Sequence, residues 1–278
     1  MKRSLVVAYV ILLVSTSCKT DVAPPILPLG QKDGVWTLVF NDDFSGERLD
    51  TTKWSVGYGW GMKTGWTEEL ISPEYVDVRD GKLLLSSEPK SAHEYWAGAV
   101  NTKNKFFQEY GFFEARIKAA KGQGILSAWW GKRNTEEWPP EIDIAEIFGA
   151  VNPKGDSTIG PWTNSMNIHY IPYEGGKKEE DQSFYSLPDG QLYTDDFHTL
   201  AVEWNASELV WYLDGNEVKR TTKGVEFLTG EFYWILNLHI CSTKIAWPGC
   251  PDPTNEWPGV MEVDYVRAWK RTETLATK

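Results

Sequence analysis

The stretch Glu141-Ile142-Asp143-Ile144-Ala145-Glu146 places three carboxylates within six residues, separated by apolar partners. In an extended strand side chains alternate between faces, so Glu141 and Asp143 point one way and Ile142 and Ile144 enter a packed layer. Plain alternation sends Glu146 to the wrong side. One extra residue at Ile144-Ala145, a β-bulge, returns it to the face of the other two acids, and bulges recur beside active sites because they re-aim a side chain. Three carboxylates on one face repel at neutral pH, so at least one must hold a proton beside an ionised neighbour. That division suits double displacement at a glycosidic bond. One carboxylate attacks the anomeric carbon while another, about 5 to 5.5 Å away, protonates the leaving oxygen. Once Glu141 carries the sugar as an ester its charge is gone, the pKa of Glu146 falls, and Glu146 acts as base toward water. Asp143, between them, would orient Glu141 and share a proton with it.

Two plainer readings compete: an acidic solvated edge strand, where acid and apolar residues also alternate, and a calcium site made of neighbouring carboxylates. The flanks favour a cleft. Trp129, Trp130 and Trp138 precede the acids and His169 follows them, and a sugar-stacking surface needs such rings whereas a bare solvated edge does not. Trp130 and Trp138 are the platforms to expect, with burial in a core the competing reading for either. Trp60, Trp66 and Trp96 lie on Gly-rich or loop-like stretches, which favours cleft walls. His169, in Met166-Asn167-Ile168-His169-Tyr170, shares a face with Asn167 and reads as a contact to sugar or to Glu146. The four histidines show no metal-ligand spacing, so zinc is not expected.

The elements that must carry these residues are strands. Fifteen Trp, twelve Tyr and eleven Phe accompany 24 Gly and 15 Pro, a composition of β-structure with broad aromatic surfaces. In 112–119, Phe113, Ala115, Ile117 and Ala119 take one face while Phe112, Glu114, Arg116 and Lys118 take the other, the pattern of a half-buried strand. Asp80-Gly81 and Asp214-Gly215 are two-residue hairpin signals between apolar runs. Further strands are predicted at 35–40, 96–101, 125–131, 141–147, 165–170, 198–204, 232–239 and 260–269, and no segment holds a long 3.6-residue apolar period. The predicted fold class is all-β: a two-sheet antiparallel sandwich, a concanavalin-like jelly roll, with a concave substrate cleft. A groove open at both ends admits a chain at its middle, so endo-acting cleavage is expected.

The 278 residues, 41% of them hydrophobic, suffice for one sizeable core. Lys2 and Arg3 precede an apolar run from Leu5 to Val14 that is too short to span a bilayer, followed by Ser15-Thr16-Ser17-Cys18. Residues 1–18 therefore read as a signal peptide of lipoprotein type with Cys18 as the lipidated residue, an ordinary secretory signal being the alternative. Residues 19–33, with Pro24, Pro25 and Pro28, read as a tether, residues 34–271 as one catalytic domain and 272–278 as a tail. The expected location is export to a bacterial outer membrane, or else the periplasm or medium, with membrane contact only through the lipid on Cys18. Cys241 and Cys250 either pair, closing a short loop worth about 2 to 3 kcal/mol, or remain thiols. Net charge is −11, or −13 without Lys2 and Arg3. An acidic chain repels polyanions, so nucleic acid is excluded as a partner and a neutral glycan favoured over a heavily sulfated one. A monomer is expected.

Trp138-Pro139-Pro140 running into Glu-Ile-Asp-Ile-Ala-Glu resembles the signature of glycoside hydrolase family 16 in its bulged, laminarinase-like form. The resemblance extends over 36–270 through Phe40-Asn41-Asp42-Asp43-Phe44-Ser45-Gly46, Tyr110-Gly111-Phe112-Phe113-Glu114-Ala115-Arg116, Trp211-Tyr212-Leu213-Asp214-Gly215 and Val263-Asp264-Tyr265-Val266-Arg267. It implies Glu141 as nucleophile, Asp143 as its assistant and Glu146 as acid/base. It further implies sugar contacts from Trp66 and Glu69, in a loop where Glu68 replaces a usual Asn, and from Asn237. No cofactor is required on this resemblance, though a structural calcium on the convex side would use Asp43, Asp264 and the carbonyl of Gly81. Departures fall at subsites: Leu126-Ser127-Ala128-Trp129-Trp130 keeps only the last Trp of the family's run, and Asn237-Leu238-His239-Ile240-Cys241-Ser242 is bulkier than usual. The expected activity is a retaining endo-β-1,3(4)-glucanase on a β-glucan. An endo-β-galactanase of the same family and a non-catalytic glucan-binding lectin are the alternatives.

Overall fold

The computed structural model describes residues 26–32, 35–65, 67–91, 94–151, 155–240 and 248–272. The signal with Cys18, most of the tether, Trp66, Cys241 and all but the first residue of the tail lie outside the described residues.

Strand alternation builds two sheets. The ten-stranded sheet runs in the order Asn216–Thr221, Leu209–Leu213, His198–Trp204, Gly111–Lys118, Gly259–Arg271, Lys82–Ser91, Glu94–Ala97, Glu69–Ile71, with Trp36–Asp42 beside Gly259–Arg271 and Val76–Arg79 beside Lys82–Ser91. The eight-stranded sheet runs Glu179–Glu180, Thr163–Tyr170, Glu141–Phe148, Ile125–Arg133, Phe232–Ile240, Ala99–Asn101, Ser55–Val56, with Ser183–Ser186 beside Thr163–Tyr170. Pairing is antiparallel except between Glu69–Ile71 and Glu94–Ala97. Both hairpin signals hold: Asp80 and Gly81 have φ of 52° and 68°, Asp214 and Gly215 of 47° and 79°, the pair of positive angles that a type I′ turn demands.

The inward faces meet in one continuous core. Phe113, Ala115 and Ile117 from one sheet join Ile142, Ile144 and Ile147 from the other, and Phe113 packs on Trp234 with ring centroids 4.2 Å apart. The opposite face of Gly111–Lys118 departs from the half-exposed reading, since Phe112 is 0% and Glu114 1% exposed. Their cover is the described end of the expected tether. Leu27 packs onto a second apolar cluster of Trp36, Phe112, Ala201 and Trp269, the Trp269 indole donates to the Ile26 carbonyl at 2.8 Å, and the Leu29 amide donates to Glu114 at 2.7 Å. Residues 26–32 are thus docked rather than free. Trp96 also departs from expectation: it lies on the ten-stranded sheet, edge-on to Tyr75, with the Lys90 ammonium 4.4 Å over its ring, away from the acids.

Candidate active site

Strand register shows how the carboxylates come together. Glu141 pairs with Lys132 on one side and His169 on the other, Asp143 with Trp130 and Asn167. The register then shifts on both sides, and Glu146 pairs with Ala128 and Ser165. This is the expected bulge at Ile144-Ala145, and it lets Glu141, Asp143 and Glu146 all line one groove while Ile142, Ile144 and Ile147 stay in the core. A bulge frees backbone groups from the ladder, and buried backbone groups need partners. Asn164 supplies two: its Oδ1 accepts from the Glu146 amide at 3.0 Å and its Nδ2 donates to the Ile144 carbonyl at 3.2 Å. Trp211, reaching across from the other sheet, donates its indole N–H to the Asp143 carbonyl at 2.9 Å. The Lys219 ammonium lies 4.5 Å over the Trp211 ring and donates to the Met166 carbonyl at 3.2 Å, holding that prop in place.

Burial raises the pKa of all three acids. Glu141 is pushed up to about 8, first by burial and then by the charge of Asp143; Glu146 is pushed up to about 8 by burial and then by Asp143 and Glu141. Asp143 is raised too, again by burial, with the Lys219 charge opposing. Hydrogen-bonding partners decide where the proton rests. The Trp138 indole donates to Glu141 Oε2 at 2.7 Å, His169 Nε2 lies 3.5 Å from Glu141 and 3.4 Å from Asp143, and the Lys178 charge also favours an ionised Glu141. Glu146 has the Ser165 hydroxyl at 3.0 Å and, more weakly, the His169 charge. Glu141 thus has more partners that favour its anion than Glu146 has, the order that a nucleophile and an acid require.

The groove encloses about 540 Å³ and is lined by all three acids with Trp130, Trp138, Asn167 and His169. Trp138 is 47% exposed along it, whereas Trp130 is 5% exposed and leaves little surface for stacking. Trp60 packs 5.9 Å from Trp130 and stacks on Tyr58, which stacks in turn on His239. Glu69 and Asn237, expected to touch sugar, are fully buried behind this wall and do not line the groove. Glu69 accepts from the Tyr58 hydroxyl at 2.6 Å, the Thr67 hydroxyl at 2.7 Å and the Ile240 amide at 3.0 Å, and lies 3.1 Å from His239 Nδ1. Asn237 Oδ1 accepts from the Trp130 indole at 2.8 Å. Both orient the wall through these bonds, although the Asn237 Nδ2 is buried with no hydrogen-bond partner.

With this geometry in hand, comparison with known proteins decides the family. The model described as "Beta-porphyranase A-D, GH16 domain" matches residues 36–271. The chain belongs to glycoside hydrolase family 16. Among relatives of this family 16 chain, "Glucan endo-1,3-beta-glucosidase A1" of Niallia circulans is 28% identical over 84% of this chain and 38% of its own length. "Endo-1,3-1,4-beta-glycanase EglC" of Rhizobium meliloti is 30% identical over 84% of this chain and 52% of its own length. The chain thus spans about half or less of these curated relatives. The laminarinase catalytic domain from Thermotoga maritima superposes with a TM-score of 0.71 at 30% identity, covering 84% of this chain and 98% of that one.

The family 16 site also contains groups that sequence reasoning missed. Lys178, Glu180 and Gln182 line the groove from a polar run beyond Thr163–Tyr170, where no apolar period marks them. His169 Nδ1 lies 3.2 Å from the Lys178 ammonium and 3.4 Å from Glu180. Lys132 is 5% exposed and donates to the carbonyls of Thr135 at 2.6 Å and Glu137 at 2.8 Å. It thereby pins the loop that carries Trp138 over Glu141. His239, part of the bulky departure noted above, faces the groove. Cys250 is half-buried; its expected partner lies outside the described residues. Asp43, Gly81 and Asp264 belong to the other sheet or its turns, where Val263 pairs with Leu83 and Val266 with Asp42. There Asp264 is held by Arg116 at 2.8 Å and Asp43 accepts from the Ser45 amide.

Proposed function

We propose that this chain is a retaining, endo-acting hydrolase of internal β-1,3 or mixed β-1,3/1,4 linkages in a neutral glucan. The observation that carries the reading is the bulge that sets Glu141, Asp143 and Glu146 on one groove floor with unequal partners. Glu141 Oε attacks the anomeric carbon as the Glu146 proton passes to the leaving glycosidic oxygen. Water then gives a proton to Glu146 and its oxygen to the sugar, breaking the ester to Glu141. Asp143, within reach of His169 beside Glu141, shares the proton that Glu141 must lack. The relatives' names supply the glucan. A second reading, a β-galactan of agar type, is favoured by one finding, the porphyranase description of the matching family model.

Product analysis on laminarin, mixed-linkage glucan, agarose and porphyran, with Glu141→Gln alongside, decides between them. Glucan oligosaccharides absent in the variant support the first reading, and cleavage of galactans alone replaces it with the second. Binding without cleavage would make the chain a lectin. Export with a lipid on Cys18 belongs to the same proposal, and loss of labelled lipid in Cys18→Ser checks it.

Calcium remains a further proposal for Asp43, Asp264 and the Gly81 carbonyl, supported by the register that sets the strands adjoining these residues side by side. Arg116 already neutralises Asp264, so the ion would share that carboxylate, and a modest effect is expected. Chelation should lower Tm by about 2 to 4 °C; no change on adding calcium to chelated protein would remove the ion from the account.

A further inference from the structure

Trp138 has two sides. On one it closes the catalytic groove, 5.7 Å from the His169 ring and with the Lys178 ammonium 5.4 Å from its centre. On the other it lines a second groove of about 480 Å³, nearly as large as the catalytic one, bounded by Pro139, Ile171 and Tyr173 with Arg133, Glu137 and Glu174 among its polar groups. Trp138, Ile171 and Tyr173 are 47%, 38% and 69% exposed, three of the ten large hydrophobic side chains that are exposed among the described residues. Apolar side chains left in contact with water and gathered in one groove mark a binding surface.

We propose that this second groove is a distal subsite for one or two neutral pyranose units of the same glycan chain that the catalytic groove cuts. Three observations carry it. The two grooves share Trp138 as a common wall, so a chain that leaves the acids past that ring next meets the second groove. Tyr173 and Trp138 offer ring faces, which suit the C–H faces of pyranoses, while Arg133 and Glu137 offer donors and acceptors for hydroxyls. Their mutual contact is long, 3.4 Å, and Glu137 is 82% exposed, so both have capacity to spare. One guanidinium beside two carboxylates leaves the groove net negative, which rejects sulfate or uronate and selects a neutral sugar. The finger that bears Tyr173 is closed by a turn, the Gly176 amide donating to the Tyr173 carbonyl at 2.8 Å, which fixes the backbone from which the ring projects.

This deepens the glycan-cleaving reading and rests on it for the path of the chain. The test measures binding of gluco- and agaro-oligosaccharides, from disaccharide to octasaccharide, to Glu141→Gln with and without Tyr173→Ala. Affinity should climb with length, and Tyr173→Ala should remove the last increments, about five- to tenfold, while leaving short ligands unchanged. Tyr173→Phe should restore them, since stacking needs the ring and not the hydroxyl. Equal length dependence with and without Tyr173, or no binding at any length, overturns the subsite. Hydrolysis of the same oligosaccharides by the unmodified protein is scored separately: its failure removes the catalytic reading, while the binding curves still judge the groove.

Discussion

Glu262 on the ten-stranded sheet and Glu141 on the eight-stranded sheet are the same side chain on interior strands, with 18% and 13% of their side-chain surface exposed. Their chemistry is opposite. Burial pushes the Glu262 carboxyl up, but Lys118 at 2.5 Å and Lys82 at 2.9 Å more than reverse that and hold it below the usual carboxylate range. Glu141 has no lysine or arginine at ion-pair distance among the described residues, and burial with Asp143 beside it lifts the carboxyl to about 8. Partners rather than residue type or exposure set the difference. The fold compensates charge at Glu262 and leaves it largely uncompensated in the cleft, where a carboxyl must change protonation state during a reaction.

The largest effects should separate the two regions by activity. Glu141→Gln and Glu146→Gln should each lower kcat by at least about a thousandfold, and azide should restore turnover to Glu141→Gln with inverted product. Glu262→Gln should leave kcat/KM within about twofold. A comparable loss in Glu262→Gln would break the comparison. Lys132→Met sharpens it at a smaller scale. Freeing the Trp138 loop should lower kcat about tenfold with little change in far-UV circular dichroism, because slight misplacement of a positioned group is costly. Lys132→Arg should recover part of the loss by reaching the same carbonyls.

The contrast also explains what was legible in the sequence. The bulge followed from three acids that had to share a face, and the sandwich followed from strand periodicity and two Asp-Gly turns, all local signals. The depth of Glu69 and Asn237 was not legible because local sequence shows polarity but not burial; only the packing of Tyr58, Trp130 and His239 places them behind the wall. Lys132 bonds backbone carbonyls within its own loop, and nothing in Gly131-Lys132-Arg133 distinguishes it from a surface lysine. Residues 26–32 read as tether because Pro24, Pro25 and Pro28 punctuate 19–33, whereas their docking depends on Trp269 and Glu114, far away in the chain.

Linkage extends the comparison to pH. Glu146, raised to about 8, is protonated below that value, so kcat/KM should fall as pH rises through about 8. The folded state holds this proton more tightly than the unfolded chain does. Its contribution is therefore fully present below the unfolded value near 4.5 and is lost as pH rises toward 8. Replacing it by a neutral isostere should relieve the fold at the alkaline end. Glu146→Gln should raise Tm by about 2 to 6 °C at pH 8 and leave it unchanged at pH 4, in thermal melts that trade activity for stability. A lower Tm at pH 8 would mean that the cleft carboxylates are not under electrostatic stress.

Glu262 gives the smallest effect and the opposite sign. Its folded pKa is depressed, so its contribution is present above the unfolded value near 4.5 and is lost as pH falls through the folded one. The pairs to Lys82 and Lys118 are part-exposed, with 31% and 29% of the lysine side chains accessible, so screening limits them to about 1 kcal/mol together. Glu262→Gln should then lower Tm by about 2 to 4 °C at pH 7. The deficit should shrink in high salt, which screens such pairs, and diminish as pH falls through the depressed folded value. Glu141→Gln under the same conditions should show no such deficit at pH 7, because that carboxyl has no lysine or arginine to lose. If both variants melted alike at pH 7 and pH 3, uncompensated charge would not distinguish the cleft, and the assignment of Glu141 would rest on its register beside Asp143 alone.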